Sequence, residues 1–395
     1  MKLADIVIVG GGMVGLALAA LLADTKLKIK IIEKNKPIKL DPAYISNRVS
    51  ALNFSSQSML EKIGAWQKIS SQRLSSFSQM YVWEKDSFAK IHFNNQDPII
   101  TQLGLEQLGH IVENEQIQMA IWHVVESQNN IEIILDQPKS LDITNELGFV
   151  TLESGEIISS KLIVGADGAN SWVRRQTNFP LISRDYEHTA LVCNVKTSEP
   201  HQQTARQIFS SDSILAFLPL PNEYLCSIVW SLSPEKAKSL VNCDEKEFNQ
   251  ALGIAFDNQL GLCELQSERA IYPLTARYAR NFAQQRVVVV GDAAHTIHPL
   301  AGLGVNLGFG DVITLASELK LHSALEHDIG DYRYLRQFER KRKVEATKVL
   351  FAMGSLKSLF SGEQPIKKLI RGIGLNIVDK NAEFKKLLIQ QTLGF

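Results

Sequence analysis

Three clusters of residues in this 395-residue chain have the types and spacing to hold a phosphorylated ligand. The first is Gly10-x-Gly12-x-x-Gly15, which follows an apolar run at 3–9, with Glu33 closing the next alternating run. Glycines so spaced let the backbone turn tightly and approach a pyrophosphate, which rests on the N–H groups of a helix start. A carboxylate about 20 residues on binds ribose hydroxyls. An acid at that position fits the free 2′-hydroxyl of FAD or NAD better than the phosphate of NADP. The second cluster is Val164-Gly165-Ala166-Asp167-Gly168-Ala169-Asn170-Ser171, at the end of another apolar run. Taken alone, an Asp-Gly pair there is more often a turn. The third is Gly291-Asp292-Ala293-Ala294-His295-Thr296-Ile297-His298-Pro299, followed by Leu300-Ala301-Gly302-Leu303-Gly304-Val305-Asn306-Leu307-Gly308. It places Asp292 after a buried strand, where ligands meet α/β sheets. The glycine-rich start of the next helix supplies N–H donors and a positive dipole end, suited to a reduced, anionic flavin ring.

Rival chemistries fare worse. His295-x-x-His298 has no third ligand at a recognisable spacing, so a packed histidine is the better reading than a metal site. One dinucleotide fingerprint is too few for a reductase with separate FAD and NAD domains. Trp66, Trp83, Trp122, Trp172 and Trp230 are dispersed and read as core or interface residues.

These residues need elements to position them. A strand at 3–9, a helix at 13–23 and a strand at 28–33 make one β-α-β unit. Residues 34–57 are polar and loop-like. A helix at 116–125 and strands at 131–135 and 161–164 follow. From about 180 to 275 the β-rich runs 190–195, 214–218 and 225–230 read as an inserted antiparallel sheet. A buried strand at 286–290 returns to the first style, with a helix from about 304 to 321, and 331–395 is mostly helical by pattern. The expectation is an α/β chain with a Rossmann-like nucleotide-binding domain in two parts, 1–180 (which also carries some strands of the substrate domain) and 276–330. A substrate-binding sheet domain occupies 181–275, and a helical C-terminal region 331–395.

Composition sets the outer limits. Apolar residues are 45% and charged residues 21% of the chain, as in ordinary globular proteins. The 42 basic and 42 acidic residues cancel, which gives no electrostatic footprint for nucleic acid. The charge is uneven, however: residues 333–395 hold 14 Lys or Arg against 5 Asp or Glu, a net +9 that leaves −9 on the rest. Such an end meets anionic lipid or an acidic partner, or is a solvated helix face. Val349, Leu350, Met353, Leu356 and Phe360 form an apolar stripe at helical spacing within it, which packs into the core or meets lipid. Cys193, Cys226, Cys243 and Cys263 lie 17 to 33 residues apart with no C-x-x-C pair, which fits a reducing compartment such as the cytoplasm. The uncharged run 6–23 has the length of a membrane helix, but Gly10-Gly11-Gly12 interrupts it and Asp5 precedes it.

In their order and separation the three clusters resemble the FAD-binding motifs of the aromatic hydroxylase flavoproteins, the p-hydroxybenzoate hydroxylase superfamily. Within it, Arg48-Val49-Ser50-Ala51-Leu52, 60–66 (LEKIGAW), 109–114 (GHIVEN), Leu218-Pro219-Leu220, Val229-Trp230-Ser231 and the C-terminal RGIGLNIVD…LGF are similar to the ubiquinone-biosynthesis hydroxylases. The likeness runs from residue 3 to about 394. It implies that Gly10, Gly12 and Gly15 hold the FAD pyrophosphate, Glu33 the adenosine ribose, and Arg48 the cofactor phosphates. Asn114 falls where relatives place a polar contact to the cofactor. Asp167 belongs near the pyrophosphate, in a motif also associated with NAD(P)H, and Asp292 on the ribityl chain. Gly304, Val305 and Asn306 offer backbone groups to the flavin. Pro299 borders the oxygen-reacting face, and the adjoining His298 is a weak catalytic candidate. Two positions depart from the family pattern: Leu303 stands where Gln is usual, and Gly310 where Arg is frequent.

The implied activity is hydroxylation of a polyprenylated phenol on the way to ubiquinone, with FAD as cofactor, O₂ as co-substrate and NAD(P)H as electron donor. Alternatives from the same residues are a hydroxylase of a small soluble aromatic acid and an inactive scaffold member of a biosynthetic assembly. A lipid substrate implies peripheral contact at the inner face of the membrane. A homo-oligomer or a complex of biosynthetic proteins stays open.

Overall fold

In a computed structural model the described residues are 2–360, apart from 39, 40, 42, 43, 86, 88, 89, 103 and 297–302; the side chains of Ile99, Leu303 and 351–360 also fall outside the description. The opening apolar run is the strand Lys2–Val9, with Ile29–Glu33 and Ile157–Gly165 parallel to it on either side. Ile131–Leu135 and Val287–Val289 extend this parallel core outward. Ile6, Val7, Ile8 and Val9 are buried, as expected for a strand covered on both faces. Met13–Leu21, Asn114–Glu126 and Leu303–Ala324 pack on one another, and their apolar residues share one core with the strands.

A second sheet of nine strands is mostly antiparallel and centres on the long strand Leu181–Thr197. Its neighbours are Ala270–Ala279 and Leu225–Leu232, followed by Ile214–Pro219 and Thr204–Phe209. Gln79–Glu84 joins in parallel beside Thr204–Phe209, and His295–Thr296 pairs with Ala270–Ala279 at the other edge. The sheet therefore draws strands from both sides of the 181–275 stretch. A third sheet holds Val49–Leu52, Gly109–Glu113 and Ser75–Phe77.

The loop expected over 34–57 is corrected in its second half. Val49–Leu52 is a strand and Phe54–Lys62 a helix, whose first turn is capped by the Asn53 side chain accepting from Ser56 N at 2.9 Å. The strand is short and half-buried, and its partner Gly109–Glu113 is distant in sequence, so local polarity hid it. The middle segment also contains two helices, Pro234–Asn242 and Glu245–Ala255, that cover one face of the nine-stranded sheet. Cys193, Cys226 and Cys263 are buried there or at its margin, and burial pushes their thiols up, Cys193 to about 12. Tyr332–Phe360 is a helix. Of the apolar stripe on it, Val349 and Leu350 pack against the main core. Among the described residues no helix is long and apolar enough to cross a membrane.

Candidate active site between the glycine turn and the Asp292 turn

The chain leaves the first strand at Gly10, whose φ of +110° is a backbone conformation that side chains resist. A Cβ there would also lie 2.4 Å from Ala166 O, and one at Gly15 would lie 2.1 Å from Gly10 O. The first and second motifs thus meet backbone to backbone, and glycine is what permits it. Around Gly12 the described residues leave open space instead. Gly12 starts the helix Met13–Leu21 and gives it no side-chain cap, so the turn keeps N–H donors and room for a pyrophosphate. Two side chains brace it: Glu33 Oε2 accepts from Gly11 N at 2.6 Å, and Gln118 donates to Gly11 O at 2.8 Å.

Asp167 caps the short helix Trp172–Gln176, one carboxylate oxygen accepting from Trp172 N (2.6 Å) and Val173 N (3.0 Å). Its other oxygen, Oδ1, is buried without a hydrogen-bond partner among the described residues. Arg174, from that helix, spans the second and third motifs by donating to Ala169 O (2.9 Å) and Ala293 O (2.8 Å).

Asp292 stands in the turn Gly291–Ala293 with its side chain exposed and no hydrogen-bond partner among the described residues. Protein nonetheless crowds it from most sides. Desolvation pushes its carboxyl above the usual range and Asp311 adds to this, while His295, Arg48 and Arg277 pull in the other direction. A carboxylate so placed gains most from a ligand that donates hydrogen bonds. Arg48 is exposed nearby, its guanidinium 5.8 Å from the centre of the Tyr272 ring.

Asn306, in the first turn of Leu303–Ala324, uses its side chain structurally. Its Oδ1 accepts from Asn53 N (3.1 Å) and Ser56 Oγ (2.7 Å), and its Nδ2 donates to Ala51 O (2.7 Å). Asn114 is tied in the same way, accepting from Ser50 Oγ at 2.6 Å while its N–H donates to Arg48 O at 3.0 Å. The strand after Arg48 is thereby clamped between both asparagines. Among the described residues no side chain crowds Gly304, and Val305 packs against the main core. His298 and Pro299 lie outside the described residues. His295 donates through Nε2 to Asp311 at 2.6 Å, for an ionised carboxylate only accepts.

Above the clamped strand lies the sheet face opposite the two covering helices. Ala190, Val192, Ala216, Val229 and Leu274 occupy it by strand alternation. Val229 packs in one cluster with Val49 and Ala51, and Asn194 donates to Ile45 O at 2.9 Å, so this face adjoins the Arg48 arm. Among its described residues, His188 Nδ1 and Ser231 Oγ form a hydrogen-bonded polar pair at 3.0 Å, beside Ala190 and Leu274.

The sequence-predicted residues Gly10, Gly12, Gly15, Glu33, Arg48, Asn114, Asp167, Asp292, Gly304, Val305 and Asn306 all belong to this one region. Gln118, Arg174, Arg277, His188, Ser231, Asp311 and Arg342 were missed. For Asp311 a signal existed, since the one charged residue in the run 303–316 needs a partner if it is buried.

Comparison with known proteins agrees. The family model for the FAD binding domain matches residues 3–352. The ubiquinone biosynthesis monooxygenase COQ6 of Xenopus tropicalis is 32% identical, over 98% of this chain and 92% of that protein. The 3-demethoxyubiquinol 3-hydroxylase of Escherichia coli K12 is 31% identical, over 99% of this chain and 98% of its own. Among solved structures, p-nitrophenol 4-monooxygenase PnpA from Pseudomonas putida DLL-E4 superposes with a TM-score of 0.78 at 17% identity, covering 100% of this chain and 99% of that one. PqsL of P. aeruginosa has the same TM-score at 18% identity, covering 95% and 100%, and likewise shares the fold. The chain belongs to the ubiquinone-biosynthesis hydroxylases within the FAD-dependent aromatic monooxygenases, and it is an FAD-dependent monooxygenase.

Proposed function

We propose that this protein hydroxylates the aromatic ring of a polyprenylated phenol in ubiquinone biosynthesis, with O₂ as co-substrate and a reduced nicotinamide as electron donor. FAD supplies the electron transfer and the oxygen activation. The protein's part is to hold it, exclude water and present the ring. Gly10, Gly12 and Gly15 hold the pyrophosphate, Asp292 the ribityl hydroxyls, and Arg48 the phosphates. The backbone at Gly304, Val305 and Asn306 meets the flavin edge, which suits an Asn306 side chain already spent on Asn53, Ser56 and Ala51.

The observation that carries the substrate reading is the face of small apolar residues beside the Arg48 arm, with its His188–Ser231 pair. A prenylated phenol offers a hydroxyl and a hydrocarbon body. On this reading the pair anchors the hydroxyl and Ala190, Val229 and Leu274 take the ring. A small aromatic acid would need a cation for its carboxylate, and on this reading Arg48, beside Tyr272 at that face, is committed to the cofactor phosphates.

Lipid-quinone analysis of a deletion strain tests the assignment. The expected result is loss of ubiquinone and accumulation of a prenylated phenol lacking one ring oxygen, reversed by the wild-type gene. Normal ubiquinone in the deletion strain would overturn it.

Such a substrate resides in membrane, and we read the net +9 of residues 333–395 as the means of approach. Basic residues near an anionic surface contribute about 1 kcal/mol each, screened by salt. Flotation with anionic vesicles should fall with salt and when Lys367, Lys368 and Arg371 become Glu. Equal flotation with neutral vesicles would overturn electrostatic docking.

A further inference from the structure

Beneath the Asp292 turn lies a buried network whose members are not among the cofactor-facing residues. Asp311, from Leu303–Ala324, is fully buried. Its Oδ2 accepts from Gly291 N (2.9 Å) and His295 Nε2 (2.6 Å), and its Oδ1 accepts from Arg342 Nε (2.7 Å). Arg342 comes from the next helix, Tyr332–Phe360, and also donates through Nη2 to Leu307 O at 3.2 Å. Gly291 and His295 flank Asp292, so one carboxylate grips the turn on both sides of it.

The guanidinium reaches Asp311 through a gap that a glycine leaves. A Cβ on Gly310 would lie 2.9 Å from Arg342 Nη2 and 3.2 Å from Cζ. Position 310 and Arg342 therefore compete for the same space beside one carboxylate. The glycine at 310 and the arginine at 342 form a matched pair, which gives the departure at 310 a physical reason.

We infer that Arg342 is a positioning residue for the cofactor. It keeps Asp311 ionised and oriented, and Asp311 in turn fixes Gly291 N–H and the His295 ring so that Asp292 faces the ribityl chain. An arginine on a helix outside the nucleotide-binding strands thus sets the geometry of the cofactor carboxylate. The inference rests on the reading of Asp292 as a cofactor ligand.

The test is FAD affinity of the full-length apoprotein by flavin fluorescence titration, with the visible circular dichroism of bound flavin and the apoprotein melting temperature alongside. Arg342→Ala should weaken FAD by about tenfold or more, the scale of one charge-assisted hydrogen bond, and alter the flavin dichroism. Arg342→Lys should fall between, and serves if the alanine variant does not fold. Gly310→Arg alone should also weaken FAD, because two guanidinium groups then contend for one site. Gly310→Arg combined with Arg342→Ala should recover affinity and dichroism beyond either single variant, since the cation returns from the other side of the same carboxylate. A merely structural role would move melting temperature and leave affinity and dichroism at wild-type values in the folded variants. That result, or a double variant no better than the worse single one, would overturn the inference. Asp292→Ala is the control: unchanged affinity there sinks the reading of Asp292, whereas loss there with wild-type affinity in Arg342→Ala and Arg342→Lys sinks the positioning role alone.

Discussion

The two large sheets present ligand-facing surfaces built on opposite principles. At the parallel sheet the surface is mainly backbone: the Gly10–Gly15 turn, the uncapped start of Met13–Leu21 and the turn at Gly291. Its charged side chains mostly hold that backbone in place, as Glu33 does at Gly11 and Asp311 at Gly291. At the antiparallel sheet the surface is side chains on a strand ladder, mostly apolar, with the His188–Ser231 pair among them. Backbone donors suit a ligand with a constant phosphate and ring skeleton. Side chains on a ladder can be exchanged without disturbing the ladder, which suits a surface that selects substrates. On the proposed function, affinity for cofactor belongs to one region and choice of substrate to the other.

The largest effect should come from Asp311. Asp311→Asn leaves Arg342 buried without its counter-charge, and removing one partner of a buried pair costs about 3–5 kcal/mol. Chemical unfolding of the apoprotein measures it, and Ser231→Ala on the other sheet should cost far less. Burial pushes the Asp311 carboxyl up, but His295 and Arg342 outweigh it and the net shift is downward from 3.8. A depressed carboxyl stabilises the fold fully above that value and loses the contribution as pH falls below it. The wild type should therefore lose stability more steeply than Asp311→Asn below 3.8. Parallel acid curves for the two would show that the pair is not a source of stability.

Asp292 should behave in the opposite sense. Asp292→Ala should weaken FAD by about 1.5–3 kcal/mol, the scale of a hydrogen bond to a charged group. Its carboxyl is raised from 3.8, chiefly by desolvation from the protein crowded around an otherwise solvent-accessible side chain, so the folded apoprotein disfavours the ionised form. That penalty is absent at low pH and grows as pH rises from 3.8 through the raised value. Asp292→Asn should accordingly leave apoprotein stability unchanged in acid and raise it at neutral pH. Loss of stability at neutral pH would mean that Asp292 is structural.

These two aspartates also show what the sequence made legible. Asp292 was found because its signal is local: a buried strand, a glycine and an acid in a fixed order. Asp311 had only a weak signal, an acid on an apolar stretch, and its partners Arg342 and His295 meet it only through the packing of two helices and a turn. The parallel strands were legible for the same reason as Asp292, since continuous apolar runs mark strands covered on both faces. Val49–Leu52 was not, because four half-buried residues acquire their meaning from Gly109–Glu113, which only the fold brings near. His188 and Ser231 are separated by 43 positions and become neighbours through strand register alone.

On the antiparallel side, His188→Ala and Ser231→Ala should each weaken binding of a prenylated phenol by about 1 kcal/mol, with FAD affinity unchanged. Substrate-induced perturbation of the bound flavin spectrum gives the substrate constant, and flavin fluorescence gives the other. A fall in FAD affinity from either substitution would break the division of labour between the sheets.

The smallest effect tests that division from the cofactor side. Gln118 is half-buried on Asn114–Glu126 and donates to Gly11 O at 2.8 Å, so it steadies the glycine turn without reaching the ligand-facing donors of the helix start. Gln118→Ala removes one neutral hydrogen bond, worth about 1 kcal/mol or less, and leaves a carbonyl that water can satisfy. FAD affinity should fall by less than about tenfold, and the apparent substrate constant should stay at its wild-type value. The outcome depends on where the turn's rigidity comes from. Glu33 still accepts from Gly11 N and the close packing of Gly10 on Ala166 persists, so most of the geometry survives. If Gln118→Ala instead costs as much as Asp292→Ala, the turn is held by its braces rather than by its own glycine packing, and the backbone account of the cofactor surface would have to yield to one built on side chains.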